Sequence, residues 1–271
     1  MSQSSPEDAV LKLHHESAGR GTRIIGATGW TVPTPRDFTE ALPRALSTRR
    51  ITSFHYRDTG KSPPSQGMRH SVPIYARDLL AVIDAEGVER PHLIGIGGMG
   101  AIVMMELAAM IPDRVASIVL HQGWARCDIM LRWQIESMQH LLRDSGFPAY
   151  QRLAAALCYT PDYLEKHEAA ILGSGWTAIR AHKEAHLAFM SSSLAHDVRE
   201  RLGRITAPTL LITGDATDYI TGDRLLAEQK QGIRHAEVHV MKGVPHSFRQ
   251  SPGFIAEFDD RVGDFWHRHG A

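Results

Sequence analysis

Apolar and polar positions along this chain form two kinds of segment. Short apolar runs bounded by turn residues predict strands, and longer segments with apolar residues three and four positions apart predict helices. The predicted strands are Val10–Ser17, Arg23–Ile25, Ile51–Tyr56, His92–Ile96, Val115–Leu120, Pro208–Thr213 and Glu237–Met241. The predicted helices between and after them are Phe38–Leu46, Val72–Glu86, Ala101–Met110 and Gly253–His267. This alternation favours an α/β protein with a mostly parallel sheet flanked by helices.

The pattern changes between the fifth and sixth predicted strands. From Trp124 to about Arg204 helical periodicity dominates, with breaks at Gly146-Phe147-Pro148 and Thr160-Pro161. We therefore predict a helical cap over residues 124–204, inserted into a core formed by residues 1–123 and 205–271.

Composition narrows the class of protein. Hydrophobic residues make up 43% of the chain, and 30 Lys and Arg balance 30 Asp and Glu, so no net charge attracts nucleic acid or an anionic membrane. The 16 histidines are scattered without metal-ligand spacing, and the two cysteines exclude a disulfide scaffold. The N-terminus lacks a signal-peptide pattern. We expect a cytoplasmic monomer or homodimer that binds a small molecule and needs neither metal nor cofactor.

The most informative segment is residues 91–115, PHLIGIGGMGAIVMMELAAMIPDRV. A strand runs into a glycine-dense turn and then directly into a helix, which is the setting of a nucleophile elbow. Gly95, Gly97 and Gly100 also match the G-x-G-x-x-G pattern of dinucleotide-binding loops. That alternative is weaker, because the pattern lies in mid-chain and no acidic residue follows at the end of the next strand.

This segment, together with the strand order, resembles the α/β-hydrolase family over nearly the whole chain. Counting back from Pro112 implies Gly98 as the nucleophile position, and a register shifted by one residue implies Gly97. Either residue lacks the side-chain oxygen or sulfur of a nucleophile. Ile96 also departs from the family motif, which begins with glycine.

The resemblance also implies an acid, a base and an oxyanion hole. Residues 207–218, APTLLITGDATD, resemble the strand that carries the acid, so Asp218 is expected there, with Asp215 as the second choice. Residues 241–248, MKGVPHSF, resemble the loop of the catalytic histidine, which implies His246. The expected oxyanion donors are the backbone N–H groups of Met99 and Ala27.

Two groups within the family are similar to this chain. The aminoacrylate hydrolases of pyrimidine degradation resemble it at residues 122–126 (QGWAR), 141–146 (LLRDSG) and 158–163 (CYTPDY), and enol-lactonases share parts of this pattern. The N-myc downstream-regulated family also has glycine at the elbow, but its members generally lack the acid–histidine pair.

The sequence therefore predicts a hydrolase in which His246, oriented by Asp218, activates water against a small activated substrate without an acyl-enzyme. Enol-lactones, imines, carbamates, esters and thioesters are the candidate substrates. The alternatives are a cofactor-free lyase or oxygenase using the same base, a non-catalytic binding protein, and a serine hydrolase disabled by a serine-to-glycine exchange.

Other residues have smaller predicted roles. We expect Trp30, Trp124 and His121 to contact the substrate. Cys127 is interpreted as structural rather than as a substitute nucleophile. Arg57 and Asp58 are predicted to pair within a loop.

Overall fold

The structure is a computed structural model. It describes residues 8–29, 32–174, 176, 181–216 and 223–271. Its centre is a seven-stranded sheet in the order β1-β3-β2-β4-β5-β6-β7, in which β1 is antiparallel to β3 and the other neighbours are parallel. The strands are β1 His15–Gly19, β2 Thr22–Thr28, β3 Arg49–Phe54, β4 His92–Ile96, β5 Ser117–His121, β6 Thr209–Gly214 and β7 Ala236–Met241.

Helices cover both faces of this sheet. Those before β6 are α1 Pro35–Ala41, α2 Val72–Ala85, α3 Gly98–Met110, α4 Ile129–His140, α5 Phe147–Cys158, α6 Pro161–Ser174 and α7 Lys183–Ala195. Those after β6 are α8 Asp223–Gly232 and α9 Pro252–Arg268. The prediction of a mostly parallel sheet flanked by helices is confirmed. No helix among the described residues is long and apolar enough to span a bilayer.

Successive residues of the central strands face opposite sides of the sheet, and both sides are apolar. In β5, Ile118 and Leu120 belong to the core under α2 and α3, whereas Val119 belongs to the core under α1 and α9. All residues of β4, β5 and β6 are buried. This is the pattern of strands covered by helices on both faces, and it explains why these strands read as continuous apolar runs.

Helix α3 lies deepest among the helices. Every residue from Gly98 to Ala109 is buried, which fits its lack of a polar face. The helix begins three residues earlier than the predicted Ala101, directly at the glycine-rich turn. It therefore points its N-terminus toward the carboxyl end of β4.

Two predicted boundaries shift near the N-terminus. The first strand begins at His15 rather than Val10, because the preceding backbone is bound by side chains: Leu11 N–H donates to Asp78 and His14 N–H to Ser62. The second strand continues to Thr28, so residues 26–28 belong to β2 and not to the loop after it.

Arg57 has a different partner from the predicted Asp58. Its guanidinium forms two hydrogen bonds to the Asp78 carboxylate, with Nε–Oδ2 at 2.8 Å and Nη2–Oδ1 at 2.9 Å, and both side chains are fully buried. Asp58 instead accepts from Ser65 N–H and pairs with His70. The buried pair joins the loop after β3 to α2.

The described chain between β5 and β6 is mostly helical and contains α4 to α7. Its two ends lie side by side: Val198 N–H donates to Ala125 O over 2.9 Å, and the backbones of Arg126 and Asp197 form an isolated antiparallel β-bridge. The boundaries of a cap at residues 124 and 204 stay a prediction.

Candidate active site

A cavity of about 340 Å³ lies where the parallel strands end beneath the helical segment. This edge of an open α/β sheet is the usual place for a ligand. The residues that line it from the sheet side include Thr28, Gly29, Ile96, Gly97, His121 and His246. The helical segment contributes Met138, Tyr150, Ala154, Cys158, Tyr159 and Trp176.

The turn after β4 has its tip at Gly97. Gly97 has φ +73°, a left-handed value that favours glycine, and α3 begins at the next residue, Gly98. Of Gly97 and Gly98, Gly97 is also the residue that lines the cavity. The count back from Pro112 put Gly98 at the tip, but one more residue separates the turn from that proline. The shifted register is therefore the one that the backbone supports.

A side chain would have room at residue 97. A Cβ built on Gly97 would come no closer than 3.7 Å to another residue's atoms, and the nearest atom is Gly29 N. At Gly100, by contrast, a Cβ would lie 2.6 Å from Ala27 O, so the helix can approach β2 only with glycine there. Residues 95–100 carry no hydroxyl, thiol or carboxylate, so the space beside Gly97 is not filled by a nucleophile of this segment.

Backbone N–H groups converge on the same point. The N–H groups of Gly98, Met99 and Gly100 precede the first helical hydrogen bond of α3, which Ala101 donates to Gly97 O at 3.1 Å. Ala27 lies inside β2, is fully buried and is not part of the cavity wall. The residue after β2 that approaches the turn is Gly29, because β2 runs on to Thr28.

His246 lies in the loop after β7 and lines the same cavity as this turn. Withdrawal of its imidazole from water lowers the pKa of His246 to about 4. The ring is therefore neutral at pH 7, which is the protonation state that a general base needs.

The loop of His246 is attached to the end of α5. Ser247 N–H donates to Cys158 O over 2.9 Å. Gln250 reinforces this junction, since its Oε1 accepts from the N–H and Oγ1 of Thr160 at 3.3 and 3.0 Å. The helical segment and the histidine loop thus share hydrogen bonds at the cavity wall.

The predicted acid Asp218 and the predicted contact residue Trp30 lie outside the described residues. Asp215, the second choice for the acid, accepts from Gly243 N–H at 2.7 Å and pairs with Lys242 Nζ at 2.8 Å. It is not among the residues that line the cavity. These contacts tie the start of the His246 loop to the end of β6.

His121, which was expected to contact the substrate, lies in the cavity wall and supports the turn. Its Nδ1 accepts the N–H of Gly97 at 3.2 Å, and its ring meets the rings of Phe248 and Phe258 edge-on, with centroids 5.2 Å away. Burial, followed by the nearby His246 and Arg249, lowers the pKa of His121 well below its ordinary value. The ring is therefore neutral.

Trp124 was expected to contact the substrate, but it is fully buried in the core shared by α2 and α3 and does not line the cavity. Cys127 donates to Ser193 O at 3.4 Å, and burial raises the pKa of its thiol to about 12. A neutral, bonded thiol is a poor nucleophile, which agrees with its structural interpretation.

Sequence reasoning missed several cavity residues. Tyr150 and Trp176 come from separate parts of the helical segment, and Asp37 and Arg249 come from α1 and the loop after β7. Arg249 Nη2 donates to Asp37 O at 2.7 Å. The apolar face of α5 is the signal that could have identified Tyr150. The contact between Asp37 and Arg249 joins residues 212 positions apart in the sequence, so no local sequence pattern indicates it.

Comparisons with known proteins identify the fold family of this chain. The model of the α/β hydrolase fold family matches residues 26–248. The protein named "Putative carbamate hydrolase RutD" from Azorhizobium caulinodans is 34% identical over 259 residues, which cover 91% of this chain and 96% of the relative.

Two solved structures share the fold at low sequence identity. An α/β hydrolase enzyme, MGS-M2, from a Medee basin deep-sea metagenome library has a TM-score of 0.82 at 19% identity, covering 94% of both chains. The enol-lactonase from Burkholderia xenovorans LB400 has a TM-score of 0.76 at 21% identity, covering 94% of this chain and 96% of its own. By sequence, sheet order and cavity position, this chain belongs to the α/β hydrolase fold family.

Proposed function

We propose that this protein hydrolyses a carbamate by a general-base mechanism in which His246 activates water and no acyl-enzyme forms. One observation carries the proposal: His246 and Gly97 line the same cavity, and residue 97 offers space where a nucleophilic side chain would stand. The name of the relative from Azorhizobium caulinodans supports carbamate as the class of substrate.

The reaction begins with a water in the space beside Gly97. A site that can hold one water and offers it polar partners is a plausible hydration site. Neutral His246 removes a proton from this water as its oxygen attacks the carbamate carbonyl carbon. The leaving group then takes the proton from His246 as its bond to that carbon breaks.

The oxyanion of the tetrahedral intermediate is stabilised by backbone N–H groups. In the register that places residue 97 at the turn, the donors are Gly98 N–H, with Met99 N–H behind it, and Gly29 N–H in place of Ala27. All but Gly29 lie at the N-terminus of α3, whose dipole favours negative charge. Each such donor is worth about 10²–10³-fold in rate.

Asp218 remains our candidate for the acid that orients His246. Asp215 fits this role less well, because its carboxylate already binds Lys242 and Gly243.

The test is turnover of a carbamate panel, with enol-lactones, esters and thioesters for comparison, by wild-type protein and by His246→Ala. We expect His246→Ala to lower kcat/KM by about 10²–10⁴-fold. Mass spectrometry of the protein, quenched with acid during turnover, should reveal no acylated species. Undiminished turnover by His246→Ala would exclude His246 as the base.

The pH profile gives a second check. Because burial lowers the pKa of His246 to about 4, kcat/KM should not change between pH 6 and 8 through titration of this residue. A serine hydrolase whose histidine keeps an ordinary pKa of about 6.5 would lose activity in that range as the pH falls.

A further inference from the structure

We propose that the substrate of this site is an aryl carbamate, in which an aromatic ring forms the leaving alcohol. The inference rests on the proposed function and adds the chemical class of the group that the cavity encloses. Three features of the cavity support this inference: its volume, the side chains that line it and the lack of a nucleophilic side chain at Gly97.

The cavity is too large for the smallest carbamates. Its volume is about 340 Å³. An apolar cavity of about 150 Å³ is already large enough to bind benzene, and one water occupies about 30 Å³ of liquid. A carbamate ion, with the bulk of roughly two waters, would leave most of the space unfilled. A phenyl or substituted phenyl group attached to the carbamate fills it much better.

The helical segment gives the cavity aromatic walls. Tyr150, Tyr159 and Trp176 line the cavity, and the rings of Tyr150 and Trp176 meet at 62° with centroids 6.2 Å apart. The hydroxyl of Tyr150 is bound to His186 Nε2 at 2.7 Å, so this residue offers the cavity its ring rather than a polar group. Edge-on and offset contacts of this kind are how proteins hold aromatic guests.

Polar groups line the same cavity. Gly29, Gly97 and His246 come from the sheet side, where the carbonyl must be placed for attack by water. A substrate that joins a polar carbonyl to an aromatic ring therefore matches both kinds of wall.

Reaction chemistry favours the same class. A site that relies on water and a base, with no covalent nucleophile, needs a leaving group that departs easily. Phenols have a pKa near 10, as tyrosine does, whereas water has a pKa of 15.7, so an aryloxide leaves more readily than hydroxide or its alkoxide analogues. Water oxygen bonds to the carbonyl carbon, the bond from that carbon to the aryloxy oxygen breaks, and the aryloxide takes the proton held by His246. The products are a phenol and a carbamic acid, which then loses carbon dioxide to give the amine.

The experiment compares phenyl carbamate with methyl carbamate, dividing each kcat/KM by the rate of hydroxide-catalysed hydrolysis in solution. This division removes the intrinsic advantage of the better leaving group. We expect the normalised ratio to favour phenyl carbamate by about tenfold or more, because a ring in an apolar pocket gains binding that a methyl group does not. A normalised ratio of one or less would overturn the inference while leaving the proposed function intact.

A substitution in α5 tests whether the aromatic ring of the substrate binds in this cavity. Ala154 is buried and lines the cavity from α5, so Ala154→Leu should fill space that the ring needs and lower kcat/KM for phenyl carbamate by about tenfold or more, with methyl carbamate little affected. Ala155 is the matched control, since it is equally buried on the same helix but does not line this cavity. An equal loss in Ala155→Leu would contradict the assignment.

A binding measurement separates the inference from the proposed function. Phenylurea and methylurea resemble the two carbamates but resist hydrolysis. Calorimetry should find that phenylurea binds the wild-type protein about tenfold more tightly or better. If no carbamate is hydrolysed yet phenylurea binds preferentially, the proposed reaction fails and the ring site stands. If phenylurea binds no better than methylurea, the ring site fails whatever the turnover.

Discussion

The N–H of Gly97 donates a hydrogen bond to Nδ1 of His121 over 3.2 Å, which ties the turn after β4 to the end of β5. Because Nδ1 is the acceptor, the neutral ring carries its proton on Nε2. Nε2 is buried and has no hydrogen-bond partner among the described residues. His121 therefore positions the turn through Nδ1, which accepts the Gly97 N–H.

Replacement of His121 should reveal this positioning role. Asparagine can place its Oδ1 near the position of Nδ1 and keep the acceptor, whereas leucine cannot. We expect His121→Leu to lower kcat by about tenfold, since small displacements of a reacting group are costly, and to change KM less. His121→Asn should recover most of the loss.

Amide hydrogen exchange at Gly97 provides a readout independent of turnover. The Gly97 amide should exchange faster in His121→Leu than in wild-type protein and in His121→Asn. Equal exchange in all three proteins would mean that the hydrogen bond does not hold the turn.

Two serine substitutions should distinguish the registers of the turn. Gly97→Ser places a hydroxyl in open space at the cavity wall, at a conformational cost of about 1–2 kcal/mol because its φ is left-handed. We expect this variant to react with a fluorophosphonate reagent and to lose native activity, as its side chain takes the space proposed for water. Gly98→Ser lies within α3 and should not be labelled.

Labelling of Gly97→Ser must depend on the base. The double variant Gly97→Ser with His246→Ala serves as the control and should remain unlabelled. Labelling of Gly98→Ser alone would restore the register predicted from the proline count. A large gain in hydrolysis of ordinary esters by either variant would instead favour a disabled serine hydrolase.

The acid can be identified by comparing two asparagine variants. Asp218→Asn should lower kcat by about 10²-fold or more if its carboxylate orients His246. Asp215→Asn weakens contacts to Lys242 and Gly243, so it should lower the melting temperature while kcat changes little. The measurements are kcat and the melting temperature of both variants. A large loss of kcat in Asp215→Asn, with little change in Asp218→Asn, would assign the acid to Asp215.

Stability should fall in mild acid. Burial lowers the pKa of His92 and His196 to about 4 and that of His186 to about 3, whereas histidine in an unfolded chain titrates near 6.5. The unfolded chain therefore binds more protons below pH 6.5, and each histidine adds a slope of about 1.4 kcal/mol per pH unit until the folded pKa is reached.

Urea unfolding measured from pH 7 to pH 5 tests this expectation. The midpoint should decrease steadily below pH 6.5. His186→Gln should show a smaller decrease, because glutamine can still meet the Tyr150 hydroxyl and does not titrate. A midpoint that is constant over this range would show that these histidines are protonated as easily in the folded protein.

Local patterns predicted the part of the fold that carries the site. The strand His92–Ile96 was predicted at its observed boundaries, since a five-residue apolar run next to glycines admits few alternatives. The same pattern predicted α3, whereas the loop of His246 was inferred from its resemblance to the family's histidine loop. Secondary structure of this kind depends on the preferences of residues close together in the chain, and these preferences can be judged from the sequence alone.

Contacts between distant segments were harder to predict. Gly98 was preferred over Gly97 because the count assumed a fixed length for α3, and Trp124 was assigned to the cavity because its neighbours resemble a cap opening. Both differences from the structure concern the direction in which a residue faces after the chain has packed. The partner of Arg57 was missed for the same reason, since Asp78 lies 21 positions away and is brought near only when α2 packs.

The hydrogen bond from Ser247 N–H to Cys158 O has a mechanical consequence for catalysis. A displacement of α5 away from the sheet would have to break this bond or move the adjacent His246 with the helix. The shape of the cavity wall and the position of His246 are therefore mechanically coupled, so a substitution in α5 that shifts this helix should also shift the imidazole.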